Sequence, residues 1–283
     1  MSNIKKLVNY IKSEKAIILT LLVLLIVGLL CWIWKPTSEF GLNFFTEISG
    51  ATITVFILDR LIKNREEKKN IPLKLAAYED VRLFTSRYSS FWTDAFHDCV
   101  PEDDPETVEY FFSDNGMKKI LRYLNIDAKA NVASQINWFD YIVSSAKEFK
   151  NHGDKVLDRH PNLDPIAYGY LHNIIEGSMI NCLIQSPGLK NWDAQNNFPR
   201  VKILQSYCVQ PNQEEYEAIL GLIKWCEESY LQLLKHRTTI KKVSEYTPKK
   251  KKNETPKSMI LEIELEKQLK ALTEHQQRSQ PPG

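Results

Sequence analysis

Hydrophobic and polar positions follow two regimes along this chain. The first quarter carries two long apolar runs, and the remainder repeats apolar residues every three or four positions. Residues 16–34 (AIILTLLVLLIVGLLCWIW) are 19 uncharged residues between Lys15 and Lys35. As a helix they extend about 28 Å, enough to cross a bilayer. A secretory signal is disfavoured, because the run is too long and no small-x-small site follows Trp34. A lipoprotein site at Cys31 would need a small residue where Leu30 stands. After a short connector at 35–39, residues 40–62 (FGLNFFTEISGATITVFILDRLI) carry Glu47 as their one charge before Asp59. The tight link makes this segment the return leg of a hairpin. The other reading is an amphipathic helix at the interface, since Asn43, Thr46, Glu47, Ser49 and Thr54 lower its hydrophobicity. Lys5, Lys6, Lys12 and Lys15 precede the first run and five basic residues lie between Arg60 and Lys69, so both ends are expected in the cytoplasm.

Within the second run, Asn43, Glu47, Gly50 and Thr54 follow at spacings of 4, 3 and 4 and share one helical stripe. A lone charge at mid-bilayer costs roughly 2.5–3.5 kcal/mol, so Glu47 needs a partner, a proton or water. Gly50 with Thr54 is a small-xxx-small pair that admits another helix closely. The stripe therefore reads either as tight packing of the hairpin or as a self-association face with a hydrated path along Glu47.

Lys63 to Lys69 read as a solvated helical exit, and Pro72 suits the first turn of a new helix. Core stripes are expected at Ala77, Val81, Phe84, Tyr88 and Phe91, then at Val132, Ile136, Phe139, Val143 and Ala146. A third falls at Ile219, Ile223, Cys226, Tyr230 and Leu233. Residues 164–184 read as one apolar helix opened by Asp164-Pro165. Val201 to Leu204 and Cys208-Val209 are the sole candidates for a short strand pair, and Trp92, Trp138, Trp192 and Trp225 are expected to pack beside the stripes. Leu261, Leu265, Leu269 and Leu272 mark an amphipathic tail helix.

The expected fold is thus all-α. A basic N-terminus (1–15) leads into transmembrane helices 16–34 and 40–62, joined by a periplasmic connector (35–39). A cytoplasmic helical bundle (63–246), a lysine-rich linker (247–257) and a tail helix with a disordered end (258–283) follow.

Charge adds local detail. The 37 Lys+Arg and 35 Asp+Glu nearly cancel at +2, which excludes a uniformly basic nucleic-acid binder. The balance is uneven, however. Tyr88 to Met117 contains no Lys or Arg but eight acids, among them Asp94, Asp98, Asp103 and Asp104. This stretch is either a solvated loop or a docking patch for a basic partner. Lys249, Lys250, Lys251 and Lys252 sit between Pro248 and Pro256, as a flexible linker or as a contact for anionic lipid or nucleic acid. The mean hydropathy of −0.34 averages over these regimes and hides the two apolar runs.

Chemistry is hard to find. Five scattered cysteines without CxxC spacing suggest neither a disulfide framework nor a zinc site. The chain lacks GxxxxGK[ST], GxSxG, HExxH and GxGxxG. His152, Asp154, Asp158 and His160 would not converge on one helical face and read as a charged helix end. No catalytic residue, metal or cofactor is expected, and the protein is read as a non-enzyme.

The order of parts, with the stretch FFTEISGATITVFILDRLIKNREEKKNIPLKLAAYEDV inside residues 40–81, resembles the two-transmembrane effectors that accompany retrons in bacterial anti-phage defence. That resemblance implies an inner-membrane effector held in check by a reverse transcriptase and its RNA-templated single-stranded DNA. Infection releases it, and membrane damage with growth arrest or abortive infection follows. Membrane lipids and further copies of the chain are the other expected partners. A membrane-anchored scaffold or sensor, its hairpin only an anchor, is the alternative.

Overall fold

The structure, a computed structural model, describes residues 23, 26, 27, 29, 30, 32, 33, 38–133, 135–237, 239–250, 267 and 269–275. Residues 1–15 and most of 16–34, the connector at 35–37, Lys251, Lys252 and most of the tail lie outside them. The described residues are all-helical, with isolated bridges and no strand among them. They fall into two compact units that divide between Ile71 and Pro72.

Helix α1 (Ser38–Cys99) contributes to both units. Its Pro72 is interior rather than at the start of a new helix, which corrects the expected break. Proline removes one backbone donor and crowds the preceding turn, but good helix formers on either side (Glu66, Lys68, Lys69, Leu73, Lys74, Leu75) carry the helix through. In the first unit, the described residues between 23 and 33 are helical and exposed. Trp32 stacks on Phe45 with ring centroids 6.1 Å apart, and α1 from Gly41 is long and apolar enough to cross a membrane.

In the second unit, Ala77, Val81, Phe84, Tyr88 and Phe91 of α1 are buried as their spacing predicts. Phe84, Tyr88 and Phe91 surround Phe149 of α4 (Trp138–Arg159). Short helices α2 (Val108–Phe111) and α3 (Asp114–Tyr123) add Phe111, Met117, Ile120 and Leu121 to the same core. The α4 stripe starts later than its periodicity suggests: Val132 and Ile136 are exposed, and the helix begins after Asn137, whose side chain accepts from Asp140 N at 2.8 Å. Asn125 bridges Ile203 and Lys129 bridges Asn137, so the segment before the cap is a closed loop.

The apolar stretch 164–184 is two helices, α5 (Pro165–Ile175) and α6 (Ser178–Gln195), a second correction. Asp164 caps α5 as expected, but the chain turns at Glu176-Gly177. There Glu215, of the Asn212–Glu215 capping box opening α7 (Gln213–Leu233), accepts from Met179 N at 3.2 Å and from Ser178 Oγ at 3.2 Å. One carboxylate thus caps two helices, and a Cβ at Gly177 would stand 2.1 Å from its Oε1. α5 packs most extensively on α7, and α4 on α6. The expected strand pair is absent: Leu204–Ser206 is a 3-10 turn, and Cys208-Val209 forms no bridge. Trp92 and Trp138 are buried and Trp225 is partly so, while Trp192 is exposed against Phe198.

Candidate functional site

Two regions gather the residues singled out in the sequence, one in each unit. In the first, Asn43, Glu47, Gly50 and Thr54 occupy one exposed face of α1. Thr54 Oγ1 donates to Gly50 O at 2.8 Å, and Thr46 Oγ1 lies 3.0 Å from Leu42 O and 2.9 Å from Asn43 O. These hydroxyls are satisfied by their own helix and tolerate an apolar surrounding. A Cβ on Gly50 would meet nothing within 4 Å, so the helix backbone is open to close approach there. Around the stripe, Ile53, Val55, Phe56, Ile57, Leu58, Leu61 and Ile62 are all more than half exposed.

In the second unit, the acidic and lysine-bearing segments meet. Lys249 Nζ lies 3.4 Å from Asp94 Oδ1, and Lys249 N donates to Asp104 Oδ2 at 3.0 Å. Asp104 N donates in return to Lys249 O at 3.3 Å, while Asp104 Oδ1 faces His97 Nδ1 at 3.1 Å. The Asp104 side chain is only 5% exposed, which a carboxylate tolerates when its oxygens are bonded as these are. Of the four acids proposed for docking, Asp94 and Asp104 are therefore engaged within the chain. Asp98 is half-buried and Asp103 is exposed. Lys250 is exposed.

Lys249 ends a strap laid along α1. Its own Ile240 and Val243 are buried. Tyr78 Oη donates to Lys241 O at 2.7 Å, Ser244 N to Ser86 Oγ at 3.0 Å, and Tyr246 Oη to Pro105 O at 2.6 Å. Burial, with Asp104 nearby, pushes the Tyr246 hydroxyl up to about 12, so it remains a donor at any physiological pH. Tyr78, Ser86 and Tyr246 were not singled out in the sequence, because a side chain bonding a backbone group 141 to 163 positions away leaves no local pattern.

The histidine-bearing end of α4 disperses. His160 Nε2 reaches Asp80 Oδ2 at 2.9 Å, whereas the His152 ring packs edge-on to Phe84. Among the described residues no three His, Cys, Asp or Glu side chains group as metal ligands would. Set against protein-family models, curated proteins and solved structures, the chain finds no match.

Proposed function

We propose that the chain is an inner-membrane effector of the kind that accompanies retrons in anti-phage defence, acting on the membrane without a catalytic step. In this reading residues 16–34 and 40–62 are a transmembrane hairpin with both termini cytoplasmic. The body is the part restrained by a reverse transcriptase and its RNA–DNA product. Release lets copies associate through Asn43, Glu47, Gly50 and Thr54, and the membrane is breached.

The observation that carries this reading is the exposed apolar surface of α1. Only 6% of its most apolar window is buried within the chain. Eight exposed aliphatic or aromatic side chains between Leu42 and Ile62 of one helix are far outside what a soluble surface tolerates, and lipid or partner helices supply the missing contacts. The stacking of Trp32 on Phe45 supports two apolar segments lying side by side. The open backbone at Gly50 supports a helix–helix face.

The test is depolarisation in cells producing the free protein. Dye uptake and growth arrest are expected for the parent chain and are expected to be lost in Glu47→Leu with Gly50→Leu at equal membrane abundance. Undiminished dye uptake in that variant would sink the stripe mechanism.

A further inference from the structure

The strap pairs Lys249 with Asp94, and it brings a different basic segment beside α1. Where Lys235-His236-Arg237 and Lys241-Lys242 flank Ile240, the chain folds back on the first body turns of α1. Together they enclose an open cleft of about 530 Å³. Pro72, Leu75, Ala76 and Ile240 make its wall apolar, and Arg237 stands in the lining. Glu79 also lines the cleft, but Arg82 Nη2 holds its carboxylate at 2.7 Å. Lys74, Lys235, Arg237 and Lys241 make no ion pair among the described residues, and all four are exposed. Arg237 is the one of these in the lining, and with Glu79 held by Arg82 its positive charge is uncompensated there; Lys74 and Lys241 are sequence neighbours of the lining residues Leu75 and Ile240.

From this arrangement we infer that the cleft binds the headgroup and glycerol region of an anionic phospholipid. The chemistry is selective. An apolar wall with an unpaired guanidinium in it and exposed lysines close by in sequence matches an amphipathic anion, whereas a polynucleotide would leave the wall wet and a neutral lipid would leave the guanidinium uncompensated. Pro72, which lines the cleft, lies ten positions after Ile62 in the sequence. The inference rests on the membrane reading above. What it adds is a lipid-dependent seat for the body, distinct from the stripe within the spans.

The test uses the full chain in proteoliposomes of phosphatidylcholine alone or with about a quarter phosphatidylglycerol, reading the rate of tryptic cleavage after Lys235 and Arg237 on outward-facing bodies. Cleavage is expected to slow at least about fivefold with the anionic lipid, from roughly 1 kcal/mol per basic residue at a charged surface. Arg237→Glu with Lys241→Glu is expected to lose the slowing at Lys235 while keeping the parent's thermal unfolding, because Tyr78 bonds the Lys241 backbone carbonyl and not its side chain. Insertion is scored in the same samples by flotation after alkaline carbonate. Equal cleavage rates in an inserted chain overturn this inference alone, and a chain that fails to insert overturns it together with the membrane reading. Protection already present in pure phosphatidylcholine, as a second copy of the chain would give, also overturns it. So does protection produced by soluble inorganic phosphate.

Discussion

Asp193 shows how much one buried carboxylate can organise. It is 6% exposed near the end of α6 and holds Arg200 through two bonds, Nε to Oδ2 at 2.7 Å and Nη2 to Oδ1 at 3.0 Å; Tyr207 Oη donates to Oδ2 at 3.1 Å. The Arg200 guanidinium also lies over the Phe198 and Tyr207 rings, so the loop after α6 is pinned at one point. Asp193→Ala is expected to destabilise the protein by about 2–4 kcal/mol, since it strands an arginine and a tyrosine hydroxyl together. Urea unfolding checks this; a loss below about 1 kcal/mol would show the pair to be replaceable by water. His152 makes a pH-dependent case. Burial, with Arg87 beside it, holds its pKa below the usual histidine value, against the smaller opposing pull of Asp80. The neutral ring is therefore the form the fold prefers. Its contribution is fully present above about pH 6.5, the unfolded value, and is lost as pH falls through the lower folded value. The stability difference between the parent and His152→Gln is expected to narrow between pH 7.5 and 5. Thermal unfolding of both at those pH values reads it, and a gap that widens on acidification would reverse the sign argued here.

The strap from Ile240 to Lys249 is held by few contacts, each of which can be removed singly. Tyr246→Phe deletes one hydrogen bond while keeping the ring against Phe111, and is expected to cost about 1 kcal/mol, or roughly fivefold faster amide exchange over residues 240–249. Asp104→Ala removes the acceptor for Lys249 N and the partner of His97, and is expected to loosen the same amides further. Exchange that accelerates across α4 instead would mean that the strap is part of the global fold rather than a separately opening element. Sequence pattern revealed the two partners at the strap's Lys249 end, the acids and the lysines, but not their meeting. Periodicity reports a helix's buried face wherever the face is continuous, which is why Ala77 to Phe91 read correctly. It fails where apolar residues serve a loop, as Val132 and Ile136 do ahead of the Asn137 cap. It also runs through a break such as Glu176-Gly177, because both helices there are apolar and the signal that divides them is the distant Glu215 carboxylate. Pro72 misled in the opposite sense: a single helix-breaking residue was outweighed by its helix-forming neighbours.

The division at Ile71–Pro72 separates a part with almost no interior from a part with a continuous one. Residues 72–250 contribute nearly all the buried apolar side chains, with Tyr78, Phe84, Trp92, Phe96, Phe111 and Met117 among the largest. Most of the described apolar side chains of the first unit face outward. A unit with its own core is not expected to depend for its stability on the identity of residues 1–62, whereas the proposed permeabilising mechanism depends on them wholly. Replacing residues 1–62 by an unrelated two-span hairpin of equal length separates the two readings of the protein. If the spans act on the membrane, the hybrid is expected to keep its abundance in the membrane and to lose dye uptake and growth arrest, by at least about tenfold in the number of depolarised cells. If the spans only anchor a scaffold or sensor, the hybrid retains whatever arrest the parent causes. Under the proposed function, co-purification of the body with the proposed restraining partner is expected to survive in the hybrid, because the proposal puts that contact after Ile71; its loss would overturn that part of the proposal.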